Sequence, residues 1–117
     1  MKSYIEKNEI NEWLVKLDKA LAEGVRSKGF VEQVKKLASL PKRKRIKVNL
    51  RKLDSIAKEG EHIIVPGKVL GVGEVRKKFN ISAIEYSHSA VEKLRKSGCN
   101  IIGIDEALKA KDSRIII

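Results

Sequence analysis

The sequence predicts an α/β fold with a mostly helical N-terminal part, and changes of texture along its 117 residues carry that expectation. Up to about residue 40 the apolar residues recur at helical spacing, and Gly24 and Pro41 punctuate them. Beyond Gly60 the chain turns to short runs rich in Ile and Val, alternating with short helices that have capping signals. Between these parts lies a stretch with no acidic residue at all. The length suits one domain over 1–117, read as a helical part (1–40), a basic arm (41–48) and an α/β core (49–117).

Residues 8–23 read as an amphipathic helix. Ile10, Trp13, Leu14, Leu17 and Leu21 form its inward stripe, Asn8 is a candidate N-cap, and Gly24 stops it. Residues 28–40 give a second helix, with Phe30, Val31, Val34, Leu37 and Ala38 on one face and Pro41 as its end. The arm follows. Asn49 then caps a third helix with Leu50, Leu53, Ile56 and Ala57 inward and Gly60 closing it.

The stretch from His62 to Val75 organises what comes after. Residues 62–65 and 68–72 read as strands flanking a Pro66-Gly67 turn, with Gly67 supplying the positive φ of a type II turn. Gly71 and Gly73 let the backbone bend or approach another backbone closely. Phe79–Ile84 alternates as a half-buried strand should. Ser89-Ala90-Val91-Glu92 matches a capping box, and Lys93, Arg95, Lys96 and Gly98 suit the C-terminal end of that helix. Asn100–Ile104 reads as a buried strand, Asp105 as the cap of a last helix to about Ala110, and Arg114–Ile117 as an apolar strand that must pair inside. Strand–helix–strand units at 81–104 and 100–117 suggest crossover connections.

Charge narrows the function. The net charge is +11, and residues 41–52 hold seven Lys or Arg with no Asp or Glu. Such a focus is the footprint of a polyanionic partner. The interleaving of Ile46, Val48 and Leu50 makes the segment an extended, partly ordered one rather than a solvated linker. Mutual repulsion predicts that the arm is mobile across Pro41–Lys47 in the free protein and orders on RNA. Aromatic residues are sparse and none falls in the basic run, so the pattern points to backbone and shape recognition of folded RNA rather than stacking on single strands. The candidate RNA-binding residues are Lys42, Arg43, Lys44, Arg45 and Lys47 of the arm and Arg51 and Lys52 of the third helix. Lys68, within the glycine stretch, and Arg76, Lys77 and Lys78, after it, complete the set. The arginines can grip phosphate bidentately, whereas the lysines act as point charges. Pro66, Gly67, Gly71 and Gly73 are the structural corners.

Two motifs carry a family resemblance. Val65-Pro66-Gly67-Lys68-Val69-Leu70-Gly71-Val72-Gly73, preceded by the basic run Pro41–Lys47 and Val48-Asn49-Leu50, resembles the signature of the ribosomal protein eighteen-e family of archaea and eukaryotes, a relative of ribosomal protein fifteen. The likeness runs over nearly the whole chain and is weakest in the first 25 or so residues. It implies an irregular superhelix of short strands and helices behind a helical N-terminal part. It also implies a structural role in an archaeal-type large ribosomal subunit. The implied partners are large-subunit ribosomal RNA and neighbouring ribosomal proteins, with no catalysis, cofactor or small-molecule substrate.

Other chemistry fits the residues less well. Arg76 stands where a dinucleotide fingerprint beginning at Gly71 needs its third glycine, and Val69 follows Lys68 where a phosphate-binding loop needs Ser or Thr. His62, His88 and Cys99 lack metal-site spacing, and Cys99, at a helix exit before a strand, reads as a small buried hydrophobe. Asp105-Glu106, Glu59 and Glu61 are explained by capping and turns, and Ser87 and Ser89 have no base at diagnostic spacing. No run reaches the length of a membrane span, and Met1–Glu6 lacks the apolar core of a signal peptide. A single cysteine excludes an internal disulfide and fits a reducing cytoplasm. Two alternatives share the same residues: a non-ribosomal RNA-binding or RNA-chaperone module, and a small phosphate-handling enzyme built on Gly67, Lys68 and Gly71.

Overall fold

The computed structural model describes the backbone from residue 7 and side chains from residue 12 to Ile117. The Asn8 cap, the inward face of Ile10 and the Met1–Glu6 opening lie outside the described residues. Two helices, α1 (Lys7–Glu23) and α2 (Lys28–Ala38), precede a 3-10 turn at Lys42–Lys44. Then come β1 (Ile46–Asn49), α3 (Leu50–Ile56), β2 (His62–Leu70), β3 (Asn80–Tyr86), α4 (His88–Lys96), β4 (Asn100–Ile101), α5 (Ile104–Lys109) and β5 (Arg114–Ile115). The α/β class with two helices ahead of the strands is as the sequence predicts.

All strand pairs are parallel. The order is β1-β2-β3-β4, and β5 joins β2 at Ile63 and Ile64. Because β3 holds one edge of β2, β5 and β1 share the other edge in succession, β1 pairing with Gly67–Leu70. Parallel pairing needs cover on both faces, and the core is accordingly double. On one face Ile63, Val65, Val69 and Ile81 pack with Leu50 and Leu53 of α3 and Val91 and Leu94 of α4. On the other, Ile64 and Ile84 pack with Trp13 and Leu17 of α1, Val31 and Val34 of α2, and Ala107 and Leu108 of α5. Arg26 ties the helical part to the C-terminal turn: its guanidinium donates to Ser113 Oγ and the Ala110 carbonyl, each at 2.7 Å, and lies over the Phe30 ring.

Several local readings change in the fold. Pro66-Gly67 is not a turn between two strands: β2 runs straight through it, and Gly67 is not among the positive-φ glycines. The pairing passes from Val65↔Ala83 to Lys68↔Glu85, so Pro66 and Gly67 face the single residue Ile84 across a β-bulge. The dipeptide falls where β5 has ended and β1 begins, a place where the missing proline N–H costs no ladder bond on that edge. Gly67 is needed for another reason. A Cβ there would lie 2.1 Å from the Ile46 carbonyl oxygen, so its absence is what lets β1 dock. The basic arm, expected mobile to Lys47, is a 3-10 turn leading into this docked strand.

Caps shift as well. Ser87, not Ser89, caps α4, its hydroxyl accepting from the Ala90 amide at 3.2 Å, while Glu92 pairs with His88 within the helix. Gly103 rather than Asp105 occupies the N-cap of α5, and Asp105 sits in the first turn. Burial raises the Asp105 carboxyl, but Lys16 at 3.4 Å and nearby backbone amides outweigh it, so the group stays below its ordinary value. Asn49 holds the N-cap of α3 but makes no side-chain bond, and Ile56 is exposed at 38%. The expected buried strand at 100–104 is only the two-residue edge strand β4, because Gly103 already begins the next helix. Of the two crossover units, β3–α4–β4 joins neighbours, whereas the strand after α5 pairs with β2.

Candidate nucleic-acid interface

The sequence-derived cations fall in two groups, one along the arm, β1 and β2 and one around the loop after β2. The first is built by the arm. α2 ends at Ala38 with Ser39 as its C-cap, three residues before the expected Pro41, which instead starts the 3-10 turn: the Lys44 amide donates to the Pro41 carbonyl at 2.8 Å. Lys42, Arg43 and Lys44 stand exposed on that turn. Arg45 folds back, its Nε donating to the Leu40 carbonyl at 2.9 Å, and is half-buried. Among the described residues β1 pairs with no strand but β2, and Lys47 projects from this edge strand. Charge on an edge strand also blocks unwanted strand pairing.

The register then places three charged residues in a row across the sheet: Lys47 beside Lys68, and Lys68 beside Glu85. Like charges on neighbouring strands repel. Glu85 offsets this pair, with one carboxylate oxygen 3.3 Å from the Lys68 ammonium and a side chain only 6% exposed. Arg43, Arg45, Ile46, Lys47, Ile84 and Glu85 help to line a groove of about 280 Å³ above Gly67.

The second group surrounds the loop after β2. Gly73 has φ +103, and a Cβ there would meet the Arg51 backbone nitrogen at 2.7 Å, so glycine is required twice over. The Arg51 amide donates to the Val72 carbonyl at 3.0 Å, which seats the loop on the first turn of α3. From α4, the Lys93 ammonium donates to the carbonyls of Gly71 and Gly73 at 2.8 and 2.9 Å. Asp54 receives the amides of Arg76 and Lys77 at 2.8 and 3.1 Å. The Arg76 amide is the first cause of a carboxyl held below its ordinary value. Burial pulls upward, but the Lys77 amide and both positive charges help to outweigh it. Glu59 accepts from the Lys78 amide at 3.1 Å.

The fold thus divides the sequence-derived set. Lys68 is paired with Glu85, Arg45 is bound to the Leu40 carbonyl, the Lys77 ammonium donates to the Ala57 carbonyl at 2.9 Å, and the Lys52 ammonium donates to the Ile117 carbonyl. The side-chain cations of Lys42, Arg43, Lys44, Lys47, Arg51, Arg76 and Lys78 have no partner among the described residues and remain available to an external anion. Sequence reading missed two residues of this region. Lys93 suits a helix end in the sequence, and its bonds to a loop 20 and 22 residues away have no local signal. Glu85 has one: it is an acid between the apolar Ile84 and Tyr86, next to a half-buried strand.

The residues weighed for other chemistry have structural partners. His62 Nδ1 lies 3.0 Å from Asp112 and His88 Nδ1 3.2 Å from Glu92. Cys99 is buried and its thiol donates to the Lys77 carbonyl at 3.3 Å. Among the described residues no group of three His, Cys, Asp or Glu is placed to hold a metal, and no helix is long and apolar enough to cross a membrane.

Comparison with known proteins agrees with the motifs. A family model that describes the ribosomal proteins 50S-L15 and 50S-L18e together with their 60S counterpart matches residues 2–102. Large ribosomal subunit protein eL18 of Thermoplasma volcanium is 40% identical over 103 residues, 86% of this chain and 84% of that protein. The eL18 protein of Archaeoglobus fulgidus is 34% identical over 94 residues, 80% of each chain. That of Thermoplasma acidophilum is 50% identical over 62 residues, about half of each. A match spanning most of the chain and relatives aligned over most of their length place this protein in the L15/eL18 family, whose members are ribosomal proteins and not enzymes.

Proposed function

We propose that this chain is a structural constituent of the large ribosomal subunit, binding large-subunit ribosomal RNA through phosphate contacts from its arm and its glycine loop. The observation that carries the reading is the set of seven cations without a partner among the described residues, four on the arm and β1 and three around the loop. They are held on ordered backbone, so binding them to phosphate spends side-chain but little backbone entropy. Neighbouring ribosomal proteins are further partners, and relatives named large ribosomal subunit protein support that setting.

The test is salt dependence with in vitro transcribed large-subunit ribosomal RNA. Changing Lys42, Arg43, Lys44 and Arg45 together to Ala removes four cations, which flattens the log–log slope of affinity against salt by about 3 to 4 while the fold is kept. An unchanged slope in the folded variant removes the arm from the interface. Cosedimentation with the large subunit at moderate salt separates a ribosomal role from RNA binding elsewhere.

A further inference from the structure

The groove beside the arm contains a feature that phosphate binding does not use. Glu85 is a carboxylate at the back of a cationic surface, with its side chain 6% exposed. Its partner among the described residues is the Lys68 ammonium, 3.3 Å from one oxygen. An ionised carboxylate has about four acceptor positions, and the Lys68 ammonium approaches only one of the two oxygens, which leaves acceptor capacity facing the groove. The arrangement therefore favours a ligand that brings N–H donors to Glu85. The surrounding cations make that ligand part of a polyanion.

We propose that this groove takes one unpaired guanine of the bound RNA, with Glu85 and Lys68 reading its Watson–Crick edge. The inference rests on the RNA-binding reading above and adds a base to it. At about 280 Å³ the groove is small for a ligand pocket: it suits a single base and excludes a duplex. Ile46 and Ile84 offer apolar contact to the base faces. Arg45, anchored by its bond to the Leu40 carbonyl, adds a guanidinium plane of the kind on which bases stack, in a site without aromatic residues. Arg43 and Lys47 on the rim meet the nucleotide's phosphate.

The order of donors and acceptors selects the base. Guanine presents two adjacent N–H donors, at N1 and N2, next to the O6 acceptor. The N–H groups match the Glu85 carboxylate, and O6 matches the Lys68 ammonium. Adenine and cytosine set a ring-nitrogen acceptor beside their amino group, which would face the carboxylate. Uracil has one N–H between two carbonyls. The register Lys68↔Glu85, produced by the Pro66-Gly67 bulge, puts the two reading groups side by side.

The experiment is an amide NMR titration of the full chain with the 5′-monophosphates of guanosine, adenosine, cytidine and uridine, and with inorganic phosphate. The guanosine nucleotide is expected to shift the amides of Ile46, Gly67, Lys68 and Glu85 and to bind about tenfold more tightly than the uridine one. Glu85→Gln puts an N–H donor against the base, so it abolishes the preference while the response to inorganic phosphate persists. Lys68→Met, which removes the O6 partner and one positive charge, lowers affinity for guanosine more than for uridine, so the preference narrows, and it serves if Glu85→Gln fails to fold. Equal affinity for all four nucleotides, the same shifts with phosphate alone, a preference that survives both substitutions, or no shift up to about 10 mM overturns the proposal. None of these outcomes touches the salt slope of the arm variant, so the base pocket can fail while RNA binding stands.

Discussion

The two cation groups look alike in sequence and differ in how the fold holds them. The arm, Lys42–Lys47, has no acid within its own span, and it is ordered chiefly by backbone: a 3-10 turn and a ladder of strand bonds to β2, with the Arg45 bond to the Leu40 carbonyl as its side-chain tie. The loop that carries Arg76–Lys78 is ordered by side chains, with Asp54 and Glu59 taking its amides and Lys93 taking the Gly71 and Gly73 carbonyls. Backbone anchoring leaves every arm ammonium free, whereas side-chain anchoring draws some of the local charge inward, as at Lys77. The comparison teaches that like charges can be presented rigidly if the segment enters a sheet edge, because the ladder uses no side chain.

The largest effect should come from breaking the arm's dock. Gly67→Val drives a branched side chain into the Ile46 carbonyl, so it costs about 3 kcal/mol or more and frees β1. Urea unfolding and hydrogen exchange check this: Ile46–Asn49 amides lose protection, while those of Arg76 and Lys77 keep it. Equal stability of Gly67→Val and the parent would remove the close approach from the account. Next comes the loop. Gly73→Ala adds strain at a positive φ and a contact with Arg51, at a cost of about 2 kcal/mol. Its exchange pattern is the reverse, with the loop loosened and β1 intact.

A smaller effect isolates side-chain anchoring. Lys93→Met removes the ammonium that serves two carbonyls, destabilising by about 1 kcal/mol with solvent replacing part of the loss. RNA affinity of the arm should be unchanged at fixed salt, and a drop as large as that of the arm variant would mean the groups act as one. The smallest effect is a pH dependence. Asp54 is held below its ordinary value of 3.8 in the fold, so its stabilisation is complete above that value and is lost as pH falls through the lower folded one. In acid, Arg76 and Lys77 amides should gain exchange ahead of β1, and Asp54→Asn should remove the pH step. Equal loosening of both segments would contradict the division.

Local patterns in the sequence were sufficient for much of the fold. Helical spacing marked Trp13, Leu17, Val31 and Val34, all buried on one face of the sheet. The apolar runs located β2, β3 and β5, and Gly24 at φ +66 ends α1 as read. The concentration of charge in 41–52 was likewise legible, since adjacency along the chain is enough to reveal it. Local chemistry was less informative where one residue suits two outcomes. A Pro-Gly pair serves a turn or a bulge, and a Ser-x-Ser stretch offers two caps two residues apart.

What the sequence by itself determined about this protein is therefore its class, its periodic elements, its family signature and the place of its charge. All of these are set by residues within a few positions of one another. Tertiary structure decided which cations are free, because, apart from the Leu40 carbonyl that takes Arg45, the groups that occupy the others are far away in the chain. Lys68 is taken by Glu85, Lys77 by the Ala57 carbonyl and Lys52 by Ile117. It also decided that Gly67 is a contact rather than a corner, since the oxygen that excludes a side chain there belongs to Ile46, twenty-one residues earlier, and reaches it only when β1 joins the sheet.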